Sequence, residues 1–290
     1  MLRLSLQRRR SLLPWLFIGP GLLWLIVFFA IPLATQAYLS LESGDSDNGY
    51  HFDWNFATYS DAVSNYQEQF VRSIGYAATA TVLCFVIAFP LAYFIAFRAG
   101  RFKNLMLLLI VLPFFMSYVL RTVAWQLILA DGGWVVKRLQ DLGLVAPDGR
   151  LLASRTAVIA GITYNFLPFM ALPLYVSLEK LDRRLIEAAT DLYASRATAF
   201  RKVTLPLALP GIFAGSLLTF IPATGDFINA ALLGTPRQFM IGNVIQSKFL
   251  NILDYPAAAA LSFLLMTFIL LGILAYARAL GARNLTEAAI

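Results

Sequence analysis

Charge is what this sequence has least of. Only 13% of its 290 residues are Asp, Glu, Lys or Arg, against roughly 25% in a soluble globular domain, so water is the wrong reference solvent for its folding. The single cysteine, Cys84, lies inside an apolar run, which excludes an internal disulfide and a thiolate metal cluster and leaves packing as its role. The single histidine, His51, stands beside Phe52 and Trp54 with no second ligand type near it, which argues against a metal centre or a proton relay. No Ser, His and Asp set forms a recognisable triad, and no G-x-x-x-x-G-K-[ST] phosphate loop is present. The chain is therefore expected to be no enzyme and to bind no metal or cofactor of its own, so any nucleotide chemistry belongs to a partner.

What is there is apolar. Hydrophobic residues make up 59% of the chain, and a helix needs about 20 mostly apolar residues to cross a bilayer. Six such stretches are legible, at 12–41, 74–97, 105–130, 156–178, 205–223 and 257–279. They must be helices, because lipid offers no partner to a bare backbone N–H or C=O. The fold class is thus an all-α membrane protein of about six spans, with no space for a separate soluble domain. The first stretch, preceded by Arg8, Arg9 and Arg10, is too long for the apolar region of a signal peptide and reads as a retained membrane helix. Prolines 20, 32, 90, 113, 168, 173, 210 and 222 lie in or near the spans and predict kinked helices.

The net charge of +7 does not mark a nucleic-acid binder, since the basic residues are dispersed between apolar spans. Their distribution instead gives an orientation. Fifteen of the 23 Lys and Arg residues fall in the tail before residue 12 and in segments 98–104, 179–204 and 278–290, with only five acids. Cytoplasmic segments retain positive charge, so both termini are expected in the cytoplasm. On the opposite side, the first loop, with Gly44, Asp45, Ser46, Asp47, Asn48 and Gly49, looks flexible. The last contains Phe239, Ile241, Val244, Ile245, Lys248, Phe249 and Ile252 at helical spacing, the mark of an amphipathic helix on the membrane surface or packed on the bundle.

The inner loop 179–204 is the most informative stretch. Leu181, Leu185, Ala188, Ala189 and Leu192 fall on one face of a helix, with Asp182, Arg184, Glu187 and Asp191 over much of the rest. A short helix of this kind can lie along the membrane and dock in a groove on a soluble partner. From Glu187 the chain reads EAATDLYASRATAFRKVTLPLALPG. This resembles the EAA loop of the permease subunits of bacterial ATP-binding-cassette importers, with Glu187, Ala188, Ala189, Val203, Leu205 and Pro206 at matching positions. The family's glycine is replaced here by Tyr193, so the turn between two short helices is expected to widen or to vanish into a continuous helix, or the ring to anchor a contact. The resemblance implies a coupling helix, with Asp191, Leu192 and Ala194 beside the matching residues, that transmits closure of two ATPase subunits to the membrane.

Two further strings, LPFFMSYVLRTVAW from Leu112 to Trp125 and TFIPATGDFINAALLGTPRQFMIGNVIQ from Thr219 to Gln246, look like the spermidine/putrescine-type permeases, the first of their two permease subunits. That likeness implies a type I importer (MetI-like) core in a bacterial plasma membrane. The implied partners are a second permease, two cytoplasmic ATPases carrying ATP and Mg, an extracytoplasmic binding protein and lipid. Within it, residues 1–70 form the tail, first helix and outer loop, 71–280 the five-helix core, and 281–290 a tail.

A polyamine favours acidic and aromatic partners. Asp226 and Asn229 follow the fifth span, and Asp131 ends the third near Trp125 and Trp134, so these residues are candidates for the cargo path. Each has a plainer reading. Trp134 suits an interfacial belt, and Asp131 before Gly132 and Gly133, like Asp226 after Gly225, suits a turn cap. Arg121 lies about 24 Å along the third span at 1.5 Å per residue, a depth where a charge faces a cavity or a partner. It is expected to pair with an acid, first of all Asp226. Rival readings are an importer of another small solute such as an aminophosphonate or thiamine, an ion-coupled secondary transporter, or a membrane scaffold. The second would need acidic or histidine relays within the spans, and these interiors hold almost none.

Overall fold

A computed structural model describes residues 17–143, 145–146 and 149–279. The expectations that fall on Arg8 to Arg10, on residues 12–16 and on the tail 281–290 lie outside them. The chain divides into two compact units, one of Met1–Asn65 with Ser247–Leu264 and the other of Tyr66–Gln246 with Leu265–Ile290.

The first unit opens with α1, Phe17–Leu39, which contains a π-helical turn at Ile26–Ala30. Phe17, Trp24 and Phe29 stand 78%, 63% and 63% exposed along it, and a helix that is apolar all round needs a bilayer to cover it. Strands β1, Glu42–Asp45, and β2, Gly49–Phe52, pair antiparallel. The loop expected to be flexible is therefore a hairpin. Its turn is closed by the Asp45 carboxylate, which accepts from the backbone N–H of Asp47 at 3.0 Å and of Asn48 at 2.7 Å, and from Asn48 Nδ2 at 3.0 Å. These hydrogen bonds to the ionised form hold the Asp45 carboxyl below its ordinary value of 3.8. Tyr50 Oη donates to Leu253 O at 2.6 Å, tying the hairpin to the turn that follows residue 252.

The next helix, α2, Ala57–Phe97, passes through a break at Tyr66, where φ is −122°, and runs on past Pro90. In the second unit follow α3, Lys103–Val111; α4, Tyr118–Ile128; α5, Trp134–Asp141; and α6, Arg155–Glu179. Then come α7, Arg183–Asp191, and α8, Arg196–Leu207. The rest are α9, Leu209–Thr224; α10, Ile228–Leu233; α11, Ile241–Ser247; and α12, Tyr255–Ala279.

Four helices among the described residues are long and apolar enough to cross a membrane, and the number rises to six where each of two bent pairs counts as one span. The chain is thus a multi-pass membrane protein. The third and fifth expected spans are not continuous helices. At the third, Met116 and Ser117 are extended, with ψ of 146° and 138°, and the chain turns by 96° between Gly100–Phe115 and Tyr118–Ile128. Pro113 starts this break by removing a donor from the preceding turn. At the fifth, a 61° bend separates α8 from α9, with Pro206 and Pro210 on either side. Pro168 and Pro173, by contrast, sit inside α6, which remains one helix of 25 residues.

Helix α6 is the centre of the unit. Its Val158, Ile162 and Phe166 pack in one cluster with Tyr76, Ala80, Leu233 and Met240, and its Met170, Leu174 and Leu178 in a second with Cys84, Ala88 and Ala92. Cys84 is buried there and donates to Thr163 O at 3.3 Å. Against α6 lies α9, and the contact is backbone-close. A Cβ on Gly211 would meet Pro173 O at 2.7 Å, and one on Gly215 would meet Met170 Sδ at 2.8 Å. Small residues four apart let membrane helices approach in this way.

Candidate functional site

Two places gather the residues the sequence singled out. The first is the inner loop. Asp182 caps α7 by accepting from Arg184 N at 2.9 Å, and the helix stops at Asp191. There Tyr193 N donates to Thr190 O at 3.0 Å and Ala194 N to Ala189 O at 3.1 Å, while Tyr193 takes φ of 60°. This is a Schellman ending, which places its left-handed residue at Tyr193. The turn expected to widen or vanish is therefore kept in full, with a tyrosine in the conformation that glycine adopts without strain. Ser195 then caps α8, accepting from Thr198 N at 3.2 Å, and α8 leads through Leu205 and Pro206 towards α9.

The loop is anchored at its roots. Arg183 donates to Ala96 O at 3.0 Å and lies over the Phe97 ring at 5.4 Å, which fixes the start of α7 to the end of α2. Lys103 pairs with Glu179 and lies over Tyr175 at 5.5 Å, joining the start of α3 to the end of α6. Phe200 packs edge-on against Phe89 at 5.5 Å. The apolar face predicted from spacing is buried only at its first residue: Leu181 is 9% exposed, but Leu185, Leu192 and Tyr193 are 49%, 81% and 99% exposed. Glu187, Ala188 and Asp191 are exposed as well, with Ala189 and Ala194 half-buried. An open groove of about 790 Å³ begins at Leu181 and Leu185 and continues along α6 and α9 past Val176, Leu172 and Leu218.

The second place is a buried polar cluster. Tyr118 and Thr122 come from α4, Asn165 from α6, and Asp226 and Asn229 from the turn into α10. Tyr118 Oη donates to Asp226 Oδ2. Asn229 donates from its backbone to Asp226 Oδ1 at 2.9 Å and from Nδ2 to Asp226 Oδ2 at 2.7 Å. Its Oδ1 accepts from Asn165 Nδ2 at 3.2 Å. The segment around Asp226 is pinned from α11, where Asn243 Nδ2 donates to Phe227 O at 2.7 Å and Gly242 packs on the Gly225 carbonyl. The outer amphipathic stretch is thus packed at this end, with Ile241 and Asn243 buried.

Arg121 joins this cluster, although not through the ion pair expected of it. Its guanidinium lies over the rings of Phe114 at 5.2 Å and Tyr118 at 5.5 Å, and among the described residues no carboxylate stands within ion-pair distance. Asp226 is taken up by Tyr118 and Asn229, and the break at Ser117 places Arg121 in the first turn of α4 instead of deep in a straight span. Trp125 faces Tyr164 at 5.5 Å and packs on the core. Asp131 is outside the cluster, pairing with Arg150 Nε at 3.1 Å on an exposed surface, and Trp134 is 75% exposed. Sequence reasoning passed over Tyr118, Thr122 and Asn165, whose only signal was a polar group inside an apolar run.

Residues 88–281 match the model of a family described as the binding-protein-dependent transport system inner membrane component. The chain is 38% identical over 257 residues to the spermidine/putrescine transport system permease protein PotB of Haemophilus influenzae, covering 88% of this chain and 90% of that one. To the protein of the same name in Escherichia coli K12 it is 36% identical, covering 88% and 94%. The fold is that of a chain in the crystal structure of a bacterial alginate ABC transporter in complex with an alginate pentasaccharide-bound periplasmic protein, with a TM-score of 0.67 at 20% identity over 94% of this chain and 95% of that one.

Proposed function

Because the chain belongs to the binding-protein-dependent transport system inner membrane components, we propose that it is the first of two permease subunits of an ATP-driven importer of polyamines. The observation that carries the cargo is the 36–38% identity, over 88% of the chain, to spermidine/putrescine permeases. The family is one of membrane permeases and not of catalysts. Hydrolysis of ATP with Mg is assigned to two partner ATPases, and cargo delivery to an extracytoplasmic binding protein such as the periplasmic one in the alginate complex.

The geometry supports a definite division of labour. Helix α7, capped at both ends, is a rigid rod tied at its start to α2 through Arg183, and the end of α6 that leads into it is tied to α3 through Glu179 and Lys103. A rigid element held in this way passes a rigid-body displacement of whatever grips it to the spans above. Its uncovered Leu185, Leu192 and Tyr193 form the surface that an ATPase groove covers, on the cytoplasmic side with both termini. The Asp226 cluster supplies the anionic group of the path.

The test is uptake of radiolabelled spermidine into inside-out-free, right-side-out vesicles holding the complete importer. ATP-dependent uptake that putrescine suppresses and thiamine or an aminophosphonate does not is the expected result. Uptake suppressed by thiamine or an aminophosphonate alone overturns the cargo, and uptake independent of the ATPases overturns the class.

A further inference from the structure

The cluster around Tyr118 buries an acidic and a basic side chain, and among the described residues neither has an ion-pair partner. Asp226, 6% exposed, is met among the described residues by neutral donors: the Tyr118 hydroxyl, the Asn229 amide and the backbone N–H groups of Asn229 and Ile228. Arg121 is also 6% exposed, and its Nε and Nη1 are buried with no hydrogen-bond partner among the described residues. What holds the guanidinium is aromatic, the faces of Phe114 and Tyr118 at 5.2 Å and 5.5 Å.

Taking a guanidinium out of water without an anion is costly, and a charge kept buried under such terms in a membrane protein marks a functional place. Aromatic faces attract any cation, alkylammonium as well as guanidinium. Phe114 and Tyr118 are therefore a cation seat, and the Tyr118 hydroxyl ends on a carboxylate that lacks a cation. A primary ammonium placed in that seat would gain both rings and, by displacing the hydroxyl, the Asp226 oxygens. Arg121 fills the rings but does not reach the anion.

We propose that Arg121 is a tethered substitute for the cargo's ammonium group: its guanidinium occupies the Phe114 and Tyr118 seat while the path is empty, and an arriving alkylammonium displaces it and takes Asp226 as its anion. The inference rests on the polyamine reading above. It gives the empty path a fixed positive charge, which excludes small free cations, and it makes release of cargo favourable because the tethered group returns to the seat.

The experiment measures spermidine retained by the complete importer, locked with vanadate and ATP, as a function of spermidine concentration. Removing the competitor in Arg121→Ala lowers the half-saturating concentration by roughly thirtyfold, the scale of one desolvated cation–π contact. Millimolar methylguanidinium then competes with spermidine in Arg121→Ala, while wild type is little affected because its own group already competes. Arg121→Lys keeps the charge and loses the planar stack, so it falls between the two; it also serves if the alanine variant does not assemble. Half-saturation in Arg121→Lys and Arg121→Ala that equals or exceeds the wild-type value, in complexes that still hydrolyse ATP, overturns the proposal. Failure of wild type itself to retain spermidine overturns it through the cargo reading, and the two failures are told apart by the wild-type curve.

Discussion

Replacing Tyr193 by glycine pits two effects of opposite sign against each other. In the left-handed conformation, with φ of 60°, a residue bearing a Cβ gives up about 1–2 kcal/mol. Glycine removes that strain but adds unfolded-chain entropy of about 0.4–1 kcal/mol. The turn itself should gain by about 0.5–1 kcal/mol on this difference, seen as slower hydrogen exchange at the Ala194 amide that bonds Ala189 O. The ring, however, is 99% exposed in the isolated chain. If the ATPase covers it as an interface anchor, its loss costs about 2 kcal/mol or more, roughly thirtyfold in affinity. Binding of the ATPase subunit to the permease pair in nanodiscs reads this directly. Tyr193→Gly and Tyr193→Asn, which both tolerate the turn, should bind roughly thirtyfold more weakly, and Tyr193→Phe should bind as wild type. Equal or tighter binding by the glycine variant refutes the anchor and leaves the tyrosine as strain alone.

Three other perturbations follow from the geometry. Gly215→Leu places side-chain carbons where a Cβ already meets Met170 Sδ at 2.8 Å; overpacking of about 1–3 kcal/mol should lower the thermal unfolding temperature in detergent, whereas Gly272→Leu, with open space around it, should not. Asp226→Asn keeps the size of the group and removes its charge, so it should abolish spermidine uptake while the complex still assembles and binds the ATPases in pull-down. The hairpin turn responds to acid in a fixed direction. Asp45 is depressed in the folded state by its bonds to Asn48 and Asp47, so its contribution is complete above the ordinary value of 3.8 and is lost as pH falls through the lower folded value. Asn48 amide exchange should quicken in that window, and Asp45→Asn should remove the pH dependence.

The helical class and the apolar spans were legible because lipid leaves the backbone few options and apolar length is a one-dimensional signal. The breaks were less so. Pro113 announced one, but the turn falls three residues on, at Met116 and Ser117, whose extended backbone follows from how α4 packs and not from their own types. Pro168 and Pro173 carried the same local signal, yet α6 continues through them, its Met170, Ala171 and Leu174 buried against neighbours between and beside the two prolines. The loop after α1 read as flexible because Gly, Asp, Asn and Ser mark turns without saying what they join; the Asp45 bonds that close the hairpin exist only once the strands have paired.

The coupling loop was the easier site, since its face, caps and motif lie within 26 residues of chain. Even there the sequence pointed to a widened or lost turn at Tyr193, or to a ring that anchors a contact, while the turn is kept because local propensity is overridden by the two backbone bonds of the helix ending. The polar cluster was legible in Arg121, Asp226 and Asn229, which are polar groups in apolar surroundings. Their pairing was not. It depends on Tyr118 standing between Arg121 and Asp226, and that follows from the 96° turn, which moves α4 relative to a straight helix. Asp131 was chosen for its neighbours in sequence and is claimed instead by Arg150, across a loop.

The central claim is that the rod from Arg183 to Asp191 lies in the cytoplasm and is gripped by an ATPase. A single Glu187→Cys variant, with the buried Cys84 changed to alanine, should react with a membrane-impermeant maleimide in inside-out vesicles but not in right-side-out ones, and the reaction should slow when purified ATPase subunits are added. Labelling from the outer side, or labelling that the ATPases leave unchanged while they remain bound, would contradict it.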